Sequence, residues 1–201
     1  MYGLVHVILT TFFSVFFRFK ASGLENIPAG GAIVAANHIS LWDPPVIACA
    51  MPRQLHFMAK EELFRNPAFN WLIRKLGAFP VKRGSPDRTA IRNAITLLQE
   101  GSILGIFPEG TRSKNGILGA PEPGLALIAI KAGVPIIPTA VIGTNKVFCD
   151  GHILPQFEVR FGKPIVLKRE NDAKESMEAM SNKVMIEIGR LLQTDNTNKQ
   201  G

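Results

Sequence analysis

The chain has 201 residues, of which 46% are hydrophobic and 19% charged, and its formal net charge is +7. This composition excludes an intrinsically disordered chain, two cysteines are too few for a disulfide framework, and the length suits one domain with its own core. The lysines and arginines are scattered, without dense runs or interleaved aromatic residues, so we expect an anionic membrane surface or an anionic substrate as partner and no nucleic acid.

The N-terminal segment Tyr2–Phe17 is mostly apolar, carries no formal charge and is followed by Arg18 and Lys20. It is shorter than the ~20 residues that a membrane-spanning helix needs, and no basic region precedes it as in a secretory signal. We therefore predict a membrane-associating helix within residues 1–20, with the two cations at the lipid headgroups. A core helix of the same domain is the alternative. We expect the protein at the cytoplasmic face of the cell membrane, peripheral or monotopic.

Residues 21–193 alternate between short apolar runs and segments of helical periodicity, which predicts one α/β domain with a mostly parallel central sheet flanked by helices. The predicted strands are Ala32–Ala36, Leu55–Ala59, Ile103–Phe107, Ile136–Ile142 and Phe157–Phe161. The predicted helices are Pro44–Ala50, two pieces of Glu61–Leu76 divided at Pro67, a helix capped by Ser85 that ends at Gly101, Gly124–Ala132, and a last helix from about Asp172 to Leu192. Residues 194–201 form a polar tail.

The segment Asn37–Pro44 follows the first strand of the domain, where ligands bind in open α/β sheets. On a straight helix, Asp43 would point about 140° away from His38. Pro44 disfavours helical geometry at Asp43, so a turn is expected. A turn that brings the carboxylate to one ring nitrogen leaves the other nitrogen free as a general base. The alternative is structural, with Asp43 as a helix N-cap and His38 as a satisfied buried histidine.

The segment Phe107–Ser113 follows another predicted strand. Gly110 allows a ligand to approach the backbone closely, while Thr111 offers a hydroxyl and Arg112 a forked guanidinium. These groups together suit a phosphate. A Pro-Glu-Gly turn with a solvated arginine is the alternative.

Two further segments give weaker signals. Gly77–Gly84 places Lys82 and Arg83 beside a glycine, and a solvated charged turn is its simpler interpretation. Val134–Pro138 carries no chemistry and is typical of a stiff edge or the entry to a strand. The sequence lacks the serine elbow, the P-loop and the common metal-ligand spacings, so we expect neither a serine nucleophile nor a metal site.

Taken together and in this order, these segments resemble the motifs of the glycerolipid acyltransferases, most closely those of 1-acyl-glycerol-3-phosphate acyltransferases. The family's N-H-x-x-x-x-D, G-x-x-x-V-x-R-like, F-P-E-G-T-R-S and V-P-I-x-P blocks correspond to Asn37–Asp43, Gly77–Arg83, Phe107–Ser113 and Val134–Pro138. The resemblance covers roughly residues 20–165. Many relatives place a lysine near Glu122, and this chain does not. The region before His38 is short, so we expect no two-helix membrane anchor of the kind found in longer relatives.

This resemblance implies acyl transfer from acyl-CoA or acyl carrier protein to the sn-2 hydroxyl of lysophosphatidic acid, which yields phosphatidic acid in phospholipid biosynthesis. The acyl thioester is a co-substrate, and no further cofactor is implied. His38 would remove the hydroxyl proton, and Asp43 would orient the imidazole and stabilise its charged form. The substrate is itself the nucleophile, which agrees with the missing serine elbow.

The remaining motif residues are then assigned to substrate binding. Arg83, Thr111, Arg112 and the backbone at Gly110 would hold the phosphate of the acceptor. A carboxylate cannot bind a phosphate directly, so Glu109 would order the arginines or the loop, or contact the glycerol hydroxyl. The implied partners are lysophosphatidic acid, acyl-CoA or acyl carrier protein, and an anionic membrane surface.

Three other functions stay open on the sequence. The acceptor could be glycerol 3-phosphate or another lysophospholipid, with the same chemistry. A thioesterase would use His38 to activate water and would release a free fatty acid. A non-catalytic lipid-binding membrane protein would keep the fold alone, although intact His38 and Asp43 argue against it.

Overall fold

The computed structural model describes residues 2–82, 87–113, 115–147, 153–166 and 173–194. The α-helices are α1 (Tyr2–Phe17), α2 (Asp43–Ala50), α3 (Pro67–Lys75), α4 (Arg88–Gln99), α5 (Gly124–Ala132) and α6 (Ala173–Gln193). The strands are β1 (Lys20–Ser22), β2 (Ala32–Ala36), β3 (Leu55–Lys60), β4 (Ala78–Val81), β5 (Ile103–Ile106), β6 (Ile136–Ile142) and β7 (Glu158–Phe161).

The strands form one sheet in the order β1-β7-β6-β2-β5-β3-β4. All neighbours pair in parallel except β6 and β7, which are antiparallel. The prediction of a mostly parallel α/β sheet is therefore confirmed. In the middle of the sheet, Val34 of β2 lies opposite Gly105 of β5 on one side and Ile137 of β6 on the other.

Two groups of buried apolar side chains cover opposite faces of this sheet. Helices α1 and α2 pack on the face that carries Ala32, Val34 and Ala36 of β2. Helices α4, α5 and α6 pack on the other face, which carries Ile33 and Ala35. Since successive side chains of a strand point to opposite faces, β2 is buried on both and its sequence is apolar throughout.

The neighbouring strands β2 and β5 send their following loops in opposite directions. The loop after β2 leads to α2 on the first face, and the loop after β5 leads towards α5 on the second. Such a divergence opens a crevice between the carboxyl ends of two parallel strands, which is where open α/β sheets bind ligands. The fold therefore places the segments that contain His38 and Glu109 side by side.

Helix α1 contributes only one face to the core. Phe13 and Phe17 are buried against the sheet and α2, whereas Leu4 and Val15 are more than 60% exposed. Among the helices that the structure describes, none combines the length and the apolarity needed to cross a bilayer.

Several predicted boundaries need correction. Helix α4 is capped by Asp87 and not by Ser85, which lies outside the described residues. The Asp87 carboxylate accepts the backbone N–H groups of Ala90 and Lys82, and these bonds hold the pKa of Asp87 below its ordinary value. An aspartate one residue before the helix is a better-placed acceptor than a serine two residues further back.

The segment Glu61–Leu76 is divided at Pro67 as predicted. A 3₁₀ turn over Glu61–Phe64 precedes α3, which begins at Pro67 and is capped by Asn66, whose side chain accepts the N–H of Phe69. Proline fits this first helical position because its missing N–H would have no partner there.

Two short strands were not predicted. Strand β1 has three residues, too few for a recognisable pattern. Strand β4 contains Pro80, which argues against a strand in the interior of a sheet but is tolerated here because β4 is the edge strand beside β3.

The segment Val134–Pro138 was predicted as a stiff edge or the entry to a strand. The entry is confirmed, since β6 begins at Ile136, but the edge is wrong because β6 pairs with both β2 and β7. Pro138 is accommodated because the ladder to β7 begins only at Thr139, and the Pro138 carbonyl accepts the N–H of Gly162.

Candidate active site

The loop after β2 folds back so that Asp43 reaches His38. The His38 Nδ1 and Asp43 Oδ2 atoms are 2.8 Å apart, and the same carboxylate oxygen accepts the backbone N–H groups of Ile39 and Ser40 at 2.7 Å each. Asp43 is fully buried and His38 is 7% exposed. The predicted turn between the two residues is therefore confirmed.

The alternative interpretation of Asp43 as the N-cap of the following helix is wrong. Asp43 is the first residue of α2, the N-cap position belongs to Trp42, and no side chain caps the helix. The Asp43 carboxylate turns back towards the preceding loop, because that loop supplies three donors to a single oxygen. With Nδ1–H donating to Asp43, the lone pair of His38 lies on Nε2, which has no hydrogen-bond partner among the described residues.

The second oxygen of Asp43 is held by a residue that the sequence interpretation missed. Thr144 Oγ1 donates to Asp43 Oδ1 at 2.5 Å, and both side chains are buried. Thr144 begins a 3₁₀ turn directly after β6, entered through Gly143 at φ +88°. A β-carbon at Gly143 would meet the Gln156 carbonyl oxygen at 2.0 Å. A glycine and a hydroxyl residue at the carboxyl end of a buried strand were the available signal.

The side chain of Asn37 fixes the start of this loop. Its Nδ2 donates to the Val141 carbonyl at 2.9 Å, and its Oδ1 accepts the Val141 N–H at 2.8 Å. The pair extends the contact between β2 and β6 beyond the last backbone pair, Ala36 with Thr139. His38 is therefore anchored to the strand that also carries Thr144 at its end.

Glu109 joins the two loops at this edge of the sheet. Its Oε1 accepts the backbone N–H of His38 at 3.1 Å, and its Oε2 accepts that of Gly119 at 2.9 Å. The N–H of Ser113 donates in turn to the His38 carbonyl at 2.8 Å. Of the roles considered for Glu109, this geometry supports ordering of the loop, because backbone donors occupy both carboxylate oxygens.

Aromatic rings support the imidazole from one side. The ring of His38 stacks on Phe107 with centroids 4.0 Å apart and planes inclined by 19°. Phe57 lies nearly parallel to Phe107 at a centroid distance of 6.0 Å. The imidazole is thus held by a stacking contact as well as by its bond to Asp43.

The loop after β5 is exposed to solvent at Thr111 and Arg112, beyond Glu109. Gly110 has φ +67°, a conformation that favours glycine, and a β-carbon there would come within 3.0 Å of Glu122 Cγ. Thr111 and Arg112 are exposed, and neither side chain has a hydrogen-bond or ion-pair partner within the part of the chain that the structure describes. The structure thus brings the loop of His38 and Asp43 beside the loop of residues 109–112 at one edge of the sheet. Arg83 lies outside the described residues.

A cavity of about 840 Å³ adjoins this loop on the second face of the sheet. Its lining includes the apolar side chains of Met58, Ile91, Ile106, Leu125, Leu127 and Ile128. Gly110 and Thr111 also line it, whereas His38 does not, and Phe107 both lines the cavity and stacks on the imidazole. Within the described ranges, no three His, Cys, Asp or Glu side chains are grouped so as to hold a metal ion.

Comparisons with known proteins find similar acyltransferase sequences. The profile of a family described as Acyltransferase matches residues 18–142. The chain is 39% identical to a 1-acyl-sn-glycerol-3-phosphate acyltransferase of Streptococcus pneumoniae over 79% of this chain and 60% of that protein. It is 36% identical to the protein of the same name from Bacillus subtilis over 63% of this chain and 64% of that protein. The chain thus spans less than two thirds of the length of either relative.

A solved structure is similar over most of the chain. The crystal structure of the 1-acyl-sn-glycerophosphate acyltransferase from Thermotoga maritima matches with a TM-score of 0.73 and 30% sequence identity. The match covers 94% of this chain and 80% of that chain.

Proposed function

Because this chain belongs to the acyltransferase family, we propose that it transfers an acyl group from acyl-CoA or acyl carrier protein to the sn-2 hydroxyl of 1-acyl-glycerol-3-phosphate, forming phosphatidic acid. The observation that carries the proposal is the buried contact of 2.8 Å between His38 and Asp43 beside the open loop of Arg112. The names of the similar proteins from three bacteria support this choice of acceptor.

The chemistry requires one base and no enzyme nucleophile. Nε2 of His38 takes the proton of the acceptor hydroxyl while its oxygen attacks the thioester carbonyl. The tetrahedral intermediate then collapses, the C–S bond breaks, and the imidazolium returns the proton to the leaving thiolate. Asp43 compensates the positive charge of the imidazolium and keeps the ring in one tautomer. Glu109 keeps the His38 backbone in place.

The loop after β5 supplies the groups for the acceptor phosphate. The backbone at Gly110, the Thr111 hydroxyl and the Arg112 guanidinium lie next to one another, and neither side chain is engaged with another described residue. A forked guanidinium and a hydroxyl suit a phosphate dianion. A phosphate role for Arg83 remains a prediction from the motif alone.

The neighbouring cavity fits an aliphatic chain of one of the two substrates. Its lining is predominantly apolar, and it shares Gly110 and Thr111 with the proposed phosphate site. Burial of an acyl chain in this cavity removes it from water, which contributes about 0.8 kcal/mol to binding for each methylene group.

We propose a location at the membrane surface on the basis of α1, and its cytoplasmic face remains a prediction from the sequence. The polar atoms of Tyr2, His6 and Thr10 are shielded on the inner side of α1, at helical spacing. Leu4 and Val15, in contrast, are exposed to the outside. A helix on the surface of a soluble domain exposes mainly polar side chains, so the exposed apolar side of α1 favours contact with lipid.

The test is acyl transfer by the purified protein, with labelled acyl-CoA or acyl carrier protein and lysophosphatidic acid, followed by lipid chromatography. We expect labelled phosphatidic acid, and turnover lower by about 10²–10⁴-fold in His38→Ala. His56→Ala is the matched control, because His56 is a half-buried histidine of β3 whose contact is with the Gly77 carbonyl.

Three outcomes would contradict the proposal. Full activity of His38→Ala would show that His38 is not the general base. Free fatty acid formed without any acceptor would indicate a thioesterase. A preference for glycerol 3-phosphate or another lysophospholipid in direct competition would change the acceptor and leave the chemistry unchanged.

A further inference from the structure

We propose that Phe107, supported from behind by Phe57, is a positioning residue that fixes the plane of the His38 imidazole and thereby affects turnover. Phe57 lies in β3, outside the four sequence blocks that carry the family resemblance. The inference deepens the proposed function and rests on it, because it concerns the general base of that reaction.

Three rings form a row across neighbouring strands. His38 lies in the loop after β2, Phe107 follows β5 directly, and Phe57 belongs to β3. Since β5 is the strand between β2 and β3, Phe107 lies between the other two rings. The plane of Phe107 is inclined by 19° to the plane of His38 and by 9° to that of Phe57. The centroid distances of 4.0 Å and 6.0 Å are those of stacked rings.

A missing side chain makes room for the last ring of this row. Gly105 lies opposite Phe57 where β3 pairs with β5. A β-carbon at Gly105 would lie 2.3 Å from Cε1 and 2.7 Å from Cδ1 of Phe57. The ring of Phe57 therefore lies across the backbone of β5, two residues before Phe107, whose side chain points to the same face of the sheet. A larger residue at position 105 would displace Phe57 and leave Phe107 without this support.

The hydrogen bond to Asp43 holds only one atom of the imidazole. Rotation of a histidine ring about χ2 has broad minima, and the direction of Nε2 depends on this rotation. A flat ring packed on the face of the imidazole of His38 restricts it. The two contacts together therefore fix Nε2 in one direction, as proton transfer from a bound acceptor requires.

The face of Phe107 also acts on the charge that His38 acquires. When Nε2 takes the hydroxyl proton, the imidazole becomes a cation at 4.0 Å from the centroid of Phe107. A cation within about 6 Å of an aromatic face is attracted by the ring quadrupole. The contact is therefore stronger in the transition state than in the substrate complex, and its loss should lower kcat without raising KM.

The first test compares Phe57→Leu with the control Phe79→Leu. Phe57 is not among the described residues that line the cavity. Phe79 is a partly buried phenylalanine of the neighbouring strand β4, and it packs on the other face of the sheet. We expect Phe57→Leu to lower kcat by about 3–10-fold, with the KM for the acceptor and the KM for the thioester unchanged. Phe79→Leu should leave kcat unchanged, although it lowers the melting temperature to a similar extent.

Gly105→Ala should reproduce the loss of kcat, because it displaces the same ring. The clash of the new β-carbon is with the outer atoms of the Phe57 side chain, which can move, so the variant is expected to fold. Full kcat of both Phe57→Leu and Gly105→Ala would overturn the inference.

A second test asks whether Phe57 acts through Phe107. Phe107→Leu keeps an apolar side chain without the flat face and should lower kcat about tenfold, whereas Phe107→Tyr keeps the face and should retain most of kcat. Adding Phe57→Leu to Phe107→Leu should cause no further loss. Losses that multiply in the double variant, or a failure of tyrosine to retain kcat, would contradict the positioning role.

A third measurement observes the imidazole without turnover. Protons that lie over an aromatic face resonate upfield in the NMR spectrum, so the ring protons of His38 should be shifted upfield. The chain has four histidines, and the signals missing from His38→Ala assign the resonances. Phe107→Leu should abolish the upfield shift, Phe57→Leu should change it, and Phe79→Leu should leave it as it is.

These measurements separate the two proposals. His38 resonances that respond to Phe107→Leu and to Phe57→Leu, in a protein that makes no phosphatidic acid, would support the positioning of the imidazole and remove the proposed function. Formation of phosphatidic acid with a kcat that Phe57→Leu leaves unchanged would overturn the positioning role of Phe57 and leave the proposed function in place.

Discussion

The two loops that form the crevice differ in how they are held. In the loop after β2, the Asp43 carboxylate accepts four hydrogen bonds and the side chain is fully buried. In the loop after β5, Glu109 is similarly engaged, but Thr111 and Arg112 are exposed and have no partner among the described residues. The hydrogen bonds of the Asp43 carboxylate are therefore formed without a ligand, whereas the donors of Thr111 and Arg112 are without partners among the described residues.

This difference matches the tasks that the two loops would have. A general base acts best when its orientation is set before the substrate arrives, because no reorganisation is then needed in the transition state. A phosphate site must exchange water for the ligand in every cycle, so donors without internal partners are an advantage. Substitutions in the first loop should therefore change turnover, and substitutions in the second should change acceptor binding.

After His38→Ala, the largest effect in the first loop is expected for Asp43→Asn. The amide oxygen can keep the three donors of the His38 turn, and the amide NH₂ can face Thr144, whose hydroxyl rotates to accept. The imidazolium loses its negative partner, so we expect turnover to fall by about 10²–10³-fold. The KM for the acceptor and the KM for the acyl thioester should change little.

The control for Asp43→Asn is stability, measured by thermal and denaturant unfolding. We expect the free energy of unfolding to fall by about 1–3 kcal/mol, so the variant stays folded. Asp43→Ala should be less stable than Asp43→Asn, since it leaves several buried donors unpaired. Gross unfolding of Asp43→Asn would assign the carboxylate to structure alone.

In the second loop, Arg112→Ala should act on binding. Loss of a charge-assisted hydrogen bond to the phosphate corresponds to about 1.5–3 kcal/mol, which raises the acceptor KM by roughly 10–100-fold. The thioester KM and the melting temperature should stay unchanged, because Arg112 is exposed and without partners in the described part of the chain. Arg112→Lys should recover only part of the affinity, since it keeps the charge without the fork. Equal increases in both KM values would contradict a phosphate site.

The sequence predicted those features that depend on local pattern. Buried strands such as Ala32–Ala36 are apolar throughout. A turn between His38 and Asp43 was expected from Pro44 and is present, but Asp43 itself is the first residue of α2, so the proline did not exclude it from the helix. Short or edge elements carry little pattern, so β1 and β4 were missed. The role of Glu109 was left open, because its partners His38 and Gly119 belong to two different loops.

The contact of Thr144 with Asp43 could not be predicted from the sequence for the same reason, although Gly143 and the hydroxyl residue after β6 gave a weak signal for the position. Thr144 lies 101 residues from Asp43, and the contact exists only because β6 is the neighbour of β2 in the sheet. Strand order is a property of the whole fold, whereas spacing and periodicity report only on neighbours along the chain.

The smallest effect that still distinguishes the two loops is expected for Thr144→Val. Valine keeps the shape of the side chain and removes the donor to Asp43 Oδ1, so the carboxylate loses its single anchor on that oxygen among the described residues. We expect turnover to fall about tenfold, equivalent to ~1.4 kcal/mol, with both KM values unchanged. Thr144→Ser restores a hydroxyl at the same position and should recover most of the turnover. If serine does not restore turnover, or if the acceptor KM rises instead, Thr144 supports the loop without positioning Asp43. The proposed division between a loop that determines turnover and a loop that determines acceptor binding would then be contradicted.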